Sequence, residues 1–132
     1  MKDIKKNIIS NKTVKRVQEC AKEVYKILGG GFIEGVYGEA LAIEFRKRKL
    51  SYDKEKNTEV FYKTEKVGVG MQDFIVNNKL VVELKASSKL TAKDKEQARS
   101  YLKATKLRHC LLINFPYPTT HEPEFATIKF KG

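Results

Sequence analysis

The first third of the chain repeats hydrophobic residues at three- and four-residue spacing, which is typical of amphipathic helices. This spacing predicts one helix over residues 11–28, ended by the glycine run 29–31, and a second helix over residues 33–49. From residue 57 onward, β-branched and aromatic residues are interrupted by short polar turns instead. The pattern predicts three antiparallel strands, over residues 57–63, 67–76 and 80–86.

The rest of the pattern predicts one helix between two further strands. Thr91 followed by Asp94 is typical of a helix N-cap, with the helix running to about Lys103. The apolar run 108–115 predicts a buried strand, parallel to the preceding one through a right-handed crossover, and the run 126–130 predicts an edge strand. The order ααβββαββ predicts an α/β fold in a single domain over residues 1–132. Its central sheet is mixed, with an antiparallel meander plus a parallel crossover strand, and is flanked by helices.

The composition of the chain is strongly basic. Its 27 Lys and Arg residues exceed 16 Asp and Glu residues and give a formal net charge of +11. Such a surface attracts polyanions, of which nucleic acid is the commonest, although a solvated lysine-rich surface has the same composition. Only Cys20 and Cys110 are present, which predicts no disulfide scaffold, zinc site or iron–sulfur cluster. No apolar run is long enough to span a bilayer and residues 1–10 lack a leader pattern, so we expect a soluble, cytoplasmic protein with no membrane partner.

Three charged residues lie where the core of the sheet is expected. Asp73 lies within GMQDFIV, and Glu83 and Lys85 lie within LVVELKA, where alternation puts both on one face of a strand. A three-residue loop over residues 77–79 would set Asp73 opposite Glu83, with Cβ atoms roughly 5 Å apart. A two-residue loop would instead turn Asp73 to the other face.

Two neighbouring carboxylates in a sheet require a compensating positive charge, and Lys85 balances only one of them. A divalent cation would supply the rest, and a carboxylate site completed by water suits Mg²⁺ or Mn²⁺. Such an ion binds a scissile phosphate and lowers the pKa of an attacking water, while Lys85 would orient that water or help to neutralise the phosphate. The structural alternative is a Glu83–Lys85 salt bridge at a strand edge, with Asp73 capping a turn.

The arrangement of these residues resembles the PD-(D/E)xK nuclease superfamily. Asp73 followed by Glu83-Leu84-Lys85 on the next strand is similar to its core motif, and the segment GMQD at 70–73 looks like the GxxD form of the first element. The resemblance extends from about residue 14 to residue 115. It implies a restriction-endonuclease-like core, with metal ligands Asp73, Glu83 and the backbone carbonyl of Leu84, and with Lys85 as the catalytic lysine.

Two flanking segments strengthen the resemblance. Gln97 and Tyr101 are similar to the QxxxY element of RecB-like exonucleases, and GFIEGVY at 31–37 resembles the signature of the small GxxExxY proteins of the same superfamily. Gly38, where that family usually has an acid, departs from the pattern. The presence of two cysteines rather than four excludes the subtype that carries an iron–sulfur cluster.

The resemblance also implies roles for residues outside the two strands. Glu34 would complete the site from the second helix, although an acid in a first turn also stabilises the helix dipole, and Glu44 competes for the same role. Gln97 would contact the metal-bound water or the DNA backbone, unless it is a plain surface residue. Tyr101 belongs to the implied catalytic set, but Tyr37 and Tyr101 also fit core residues whose hydroxyl groups are satisfied at the surface.

The first functional interpretation is a Mg²⁺-dependent or Mn²⁺-dependent nuclease that hydrolyses phosphodiester bonds in nucleic acid, with DNA as the expected substrate. A non-catalytic nucleic-acid-binding or regulatory module that retains the fold is the main alternative, and an interaction protein whose charge serves solubility is the third. A homodimer is also consistent with the first interpretation. No aromatic platform is visible, which does not favour stacking of single strands. Basic residues expected to contact phosphates are Lys63, Lys66, Lys89, Lys93, Lys95, Arg99 and Lys103.

Overall fold

A computed structural model describes residues 11–131, and within this range the chain forms three helices and five strands. The order ααβββαββ predicted from the sequence is confirmed. Residues 1–10, for which the sequence predicts no leader, lie outside the described residues. The elements are α1 Asn11–Leu28, α2 Glu34–Lys47, β1 Tyr52–Tyr62, β2 Glu65–Val76, β3 Leu80–Lys85, α3 Ala92–Thr105, β4 His109–Asn114 and β5 Glu124–Lys129.

The five strands form one mixed sheet in the order β1-β2-β3-β4-β5. The pairs β1–β2, β2–β3 and β4–β5 are antiparallel, whereas β3 and β4 are parallel and are connected through α3. Thr91 and Asp94 form a capping box at the start of α3, because the Thr91 hydroxyl accepts from the Asp94 amide and the Asp94 carboxylate accepts from the Thr91 amide. The α/β fold predicted from the sequence is therefore confirmed, including its parallel crossover.

Helices cover both faces of the sheet and enclose two hydrophobic clusters. Helices α1 and α2 pack on one face, where Phe74 and Phe45 meet edge to face at 5.1 Å. Helix α3 packs on the other face, where Leu102 is buried against Ile75 and Val81. Both cysteines are buried and free. No helix within residues 11–131 is long and apolar enough to cross a membrane.

The turn between β2 and β3 has three residues. Asn77 and Asn78 adopt left-handed φ values of 54° and 58°, a conformation that Asn tolerates better than most residues. The Lys79 amide donates to the Val76 carbonyl at 3.1 Å, and Val76 pairs with Leu80. Of the two loops considered from the sequence, the structure has the one that sets Asp73 opposite Glu83 in the register.

The first strand is longer than the sequence indicates. Its predicted start at residue 57 is five residues late, because the charged run DKEK at 53–56 reads as a loop. Those residues form an edge strand whose side chains are mostly exposed, so the backbone pairing with β2 outweighs the poor strand propensity of the charged residues.

The hairpin of β1 and β2 extends beyond the rest of the sheet. Strand β3 pairs with β2 only at Phe74–Val76, so the residues of β2 before Phe74 pair with β1 alone. We call residues 56–72 of this hairpin the β-arm. It is supported by α3, which packs on it through Tyr101. The base of the β-arm is therefore the point at which the central sheet loses a strand.

Candidate active site

Asp73 lies at the base of the β-arm, one residue before the pairing of β2 with β3 begins. Its Oδ2 atom accepts a hydrogen bond from the Leu84 amide at 2.7 Å. The carboxylate thus fills the gap between the separating strands. The sequence predicted Asp73 and Glu83 as neighbours on one face of the sheet. In the structure, Asp73 borders the cavity on the α2 side of the gap, whereas Glu83 borders the cavity on the α3 side.

Glu83 carries a buried carboxylate oxygen that has no hydrogen-bond partner. This atom, Oε1, is one of two such side-chain atoms among the described residues. Burial of the carboxyl and the nearby charge of Asp73 raise the pKa of Glu83 to about 8, although Lys85 opposes this rise. Burial also raises the pKa of Asp73, while the Leu84 amide and Lys85 act in the opposite direction. Both carboxylates are therefore in surroundings that penalise their negative charge.

Lys85 is the nearby positive group, and it is held by a residue of α3. Its Nζ donates to Gln97 Oε1 at 3.3 Å, so the lysine of β3 and the glutamine of the QxxxY segment meet across one cavity. Its ammonium group opposes the rise in the pKa of Asp73, of Glu83 and of Glu34, without cancelling it. Lys85 is hydrogen-bonded to Gln97 and Glu83 is largely buried, so the two residues do not form the salt bridge at a strand edge that was considered as an alternative.

Glu34 is the first residue of α2 and lies on the side of the gap that Asp73 borders. Glu34 is exposed, but partial burial of its carboxyl raises the pKa, Lys85 opposes this rise, and Asp73 and Asp94 add to it. Glu44, the competing candidate, lies at the far end of α2 and pairs with Arg48 at 3.4 Å. Of the two acids, the structure brings only Glu34 to the carboxylates of the sheet.

The other two residues of the GxxExxY segment are structural. Gly31 has φ 104° and lies in the connection between α1 and α2, where a residue with a side chain would be strained. Tyr37 is fully buried, stacks on Phe115 at 4.2 Å and donates from its hydroxyl to the Gly29 carbonyl at 2.6 Å. These contacts fix the start of α2 and hence the position of Glu34. Tyr37 is thus a core residue, the role considered for it from the sequence.

Tyr101 lies against the strand that carries Asp73. A Cβ atom added to Gly70 would overlap the Tyr101 ring, so only glycine at this position lets the ring rest on the strand. Tyr101 is still 38% exposed, in contrast to the fully buried Tyr37. The GxxD and QxxxY segments are therefore two halves of one packing contact that holds α3, and with it Gln97, beside Glu83 and Lys85.

The residues of the gap suit a hard cation. They offer carboxylate oxygens from Asp73 and Glu83, the ligand type that Mg²⁺ and Mn²⁺ prefer, and one of these oxygens lacks any partner. The carbonyl of Leu84 points to the same side of β3 as its amide, which faces Asp73. Within residues 11–131, no three His, Cys, Asp or Glu side chains are grouped closely enough to enclose an ion. Carboxylate oxygens are ligands that divalent metal ions accept while they keep part of their water shell.

Glu55 is a residue near the gap that the sequence analysis did not identify. It lies across from Asp73 in β1, between the pairs Lys54–Phe74 and Lys56–Gln72, and has a left-handed φ of 55°. Its charge contributes to the raised pKa of Asp73. No motif marks Glu55, because it lies within the charged run that reads as a loop.

The predicted phosphate-binding residues are distributed unevenly around the site. Lys89, Lys93, Lys95 and Lys103 are exposed on or before α3. Arg99 forms an ion pair with Glu96 at 3.1 Å and is turned about 200° along α3 from Gln97, away from the face that meets the β-arm. Lys63 and Lys66 lie at the tip of the β-arm, where Lys66 pairs with Glu59 at 3.8 Å.

Comparison with known proteins identifies the family. The sequence matches the family model of the PD-(D/E)XK nuclease superfamily over residues 11–128. None of the curated proteins is significantly similar to the chain. An alkaline exonuclease, LHK-Exo from Laribacter hongkongensis, has a similar structure, with a TM-score of 0.54 and 7% sequence identity over 92% of this chain and 70% of the other. The structure of SSO0001 gives a TM-score of 0.54 and 18% identity over 73% of this chain.

The solved structures and the family model support different statements about the chain. The chain spans 50% of the length of SSO0001, and at identities this low the two solved structures share a fold with it. The family match, in contrast, covers almost all of the described residues. The chain therefore belongs to the PD-(D/E)XK nuclease superfamily.

Proposed function

We propose that the chain is a metal-dependent nuclease that hydrolyses phosphodiester bonds in DNA. Mg²⁺ or Mn²⁺ would be held by Asp73, Glu83 and the backbone carbonyl of Leu84. The observation that carries the proposal is the buried, unpartnered Oε1 of Glu83 beside a second carboxylate. A buried carboxylate oxygen without a partner destabilises the fold, so its presence at this point is explained best by a ligand of positive charge.

The bound ion would supply positive charge to the scissile phosphate and lower the pKa of the attacking water. Residues of the chain would orient the water and the phosphate. Lys85, oriented by its hydrogen bond to Gln97, would donate to a phosphate oxygen or to the attacking water. Glu34, with a raised pKa and a place at the edge of the gap, would accept a hydrogen bond from water on the α2 side. Tyr101 would keep Gln97 in position through its contact with Gly70.

A cleavage assay tests this proposal. Labelled DNA is incubated with the protein in Mg²⁺, in Mn²⁺ or in EDTA, and the rate of product formation is compared for wild type, Asp73→Asn, Glu83→Gln and Lys85→Ala. We expect cleavage only with metal, and a loss of at least about a hundredfold in each variant, the scale of removing one preorganised charge-stabilising group. Glu122→Gln, which removes an exposed carboxylate on the α1 side, is the matched control and should cleave at the wild-type rate.

Two results would contradict the proposal. One is cleavage that continues in EDTA or survives Asp73→Asn. The other is salt-sensitive DNA binding with no cleavage under any metal condition, which would support a non-catalytic module that retains the fold.

A further inference from the structure

A groove runs from the candidate active site along α3, between this helix and the β-arm. It consists of two connected depressions of about 530 and 400 Å³, which share Val60 and Ser100 as lining residues. The first depression meets the Glu83 cavity at Gln97 and Tyr101, and the second ends beside Lys103 and Lys106. We call this feature the α3–arm groove; its lining includes Val60, Gly68, Ser100, Tyr101, Lys103 and Lys106.

The groove follows the direct contact between α3 and the β-arm. Tyr101 touches β2 at Gly70, and the two depressions lie along this contact, with residues of α3 on one side and residues of β1 and β2 on the other. An unpaired strand can turn its bases towards the floor of such a groove, whereas the bases of a duplex are already paired with each other.

The floor of the groove is open beside the aromatic ring. A Cβ atom added to Gly68 would meet no atom within 4 Å, whereas one added to Gly70 would overlap Tyr101. The strand therefore offers free space next to a ring that is 38% exposed. Partly exposed tyrosines of this kind stack with bases in proteins that bind single strands. The sequence showed no aromatic platform because Tyr101 and Gly68 come together only in the folded protein.

The charge of the groove is complementary to a phosphate backbone. Lys103 and Lys106 are exposed at its far end, and both lie in α3 or directly after it. The one acidic residue that lines the groove between α3 and the arm, Glu59, is paired with Lys66 at 3.8 Å. From Gln97 to Lys106 the helix advances about 14 Å, which spans about four nucleotides at stacked spacing.

We propose that the α3–arm groove binds an unpaired DNA strand and leads it to Asp73 and Glu83. The bases would lie against Tyr101 and Val60, and the phosphates would face Lys103 and Lys106. This inference rests on the proposed nuclease function and extends it by naming single-stranded DNA, or a single-stranded end of a duplex, as the substrate.

Binding and cleavage are measured separately to test the inference. Binding of a fluorescein-labelled 12-nucleotide single strand to the full chain in EDTA is followed by anisotropy, beside a blunt duplex of the same sequence. Lys103→Glu/Lys106→Glu should weaken single-strand binding at least about tenfold, and the slope of log K against log salt should fall by about 1.4, for two lost phosphate contacts. Lys15→Glu/Lys26→Glu makes the same change in net charge on exposed positions of α1, across the sheet from α3, and should change affinity less than twofold.

A steric variant provides an independent measurement. Ser100→Trp fills the place where the two depressions meet, and it should block single-strand binding without changing net charge. In the metal-dependent assay, wild type should cleave a single strand or an overhang faster than a blunt duplex, and both groove variants should lose that preference.

The outcomes separate the groove from the active site. Equal loss of binding in the α3 and α1 double variants would show that only net charge matters and would overturn the inference, as would tighter binding of the duplex than of the single strand. If groove variants bind and cleave normally while Asp73→Asn does not cleave, the groove is refuted and the nuclease proposal stands. If the groove variants alone lose single-strand binding but no metal supports cleavage, the groove stands and the nuclease proposal fails.

Discussion

At pH 8, replacement of Glu83 by Gln should stabilise the metal-free protein, although it removes a central residue of the candidate site. The carboxyl group of Glu83 has a pKa of about 8 in the folded protein against an ordinary value of 4.5, because it is buried next to Asp73. Between these two pH values the folded state holds a proton that the unfolded state releases. The free energy of unfolding therefore falls as the pH rises from 4.5 towards 8, and Glu83→Gln removes this loss.

The size of the effect follows from the two pKa values. Each unit of difference corresponds to 1.36 kcal/mol, so Glu83 costs less than about 1 kcal/mol at pH 5, about 3 kcal/mol at pH 7 and approaches about 5 kcal/mol above pH 9. A neutral amide of the same shape carries no such charge, but it leaves a buried polar group that costs about 1–3 kcal/mol at any pH. The stability difference between variant and wild type should therefore increase with pH, and wild type should be the less stable at pH 8.

Urea unfolding in EDTA at pH 5, 6, 7 and 8 provides the test. The free energy of unfolding of Glu83→Gln minus that of wild type should rise by about 3–4 kcal/mol between pH 5 and pH 8. Glu122→Gln controls for the removal of one negative charge from a cationic protein. A difference that stays constant with pH, or that falls as the pH rises, would refute the reasoning that Glu83 is a buried charge awaiting a cation.

Three further predictions concern the metal, the β-arm and helix α3. Mg²⁺ at 100 times its dissociation constant should stabilise wild type by about 2.7 kcal/mol in thermal unfolding and leave Asp73→Asn unchanged; equal stabilisation of both would contradict the ligand assignment. Gly70→Ala should cost about 1–3 kcal/mol, because its methyl group overlaps the Tyr101 ring, whereas the control Gly68→Ala meets open space; equal losses would show that the Tyr101 contact is unimportant. Thr91→Ala should cost about 1 kcal/mol in urea unfolding, because it breaks the capping box of α3; an unchanged midpoint would contradict the role of that cap.

The sequence predicted the fold well because its hydrophobic periodicity and its turns agree. Helix α1 was predicted at residues 11–28 and occupies those residues. The Asn77–Asn78 turn could be predicted because Asn tolerates a left-handed backbone conformation. The length of this turn then determines which residues of β2 and β3 lie opposite each other. Alternation along a strand could be read for Glu83 and Lys85, but it did not give the cavity that Asp73 borders, because Asp73 precedes the part of β2 that pairs with β3.

The sequence could not predict where the sheet stops pairing. The charged run before residue 57 has the composition of a loop, yet tertiary pairing makes it a strand and brings Glu55 to the gap. The choice between Glu34 and Glu44 also stayed open, and the structure puts Glu44 at the far end of α2, where it pairs with Arg48. Strand pairing and the end of α2 that meets the sheet carboxylates both depend on long-range contacts, which a pattern within one segment does not contain.

The GMQD segment has two roles that act on the same site from opposite ends. Gly70 lets Tyr101 pack on the strand, which sets the distance between α3 and β2 and so the position of Gln97 beside Lys85. Asp73 lies three residues later, where the two strands separate. Its carboxylate accepts a hydrogen bond from the Leu84 amide in place of a backbone carbonyl of β2. Strand β2 therefore stops pairing with β3 at Asp73, and its next contact on this side is with Tyr101 of α3 at Gly70. This geometry links the gap beside Glu83 to the groove along α3, because both lie where β2 no longer pairs with β3.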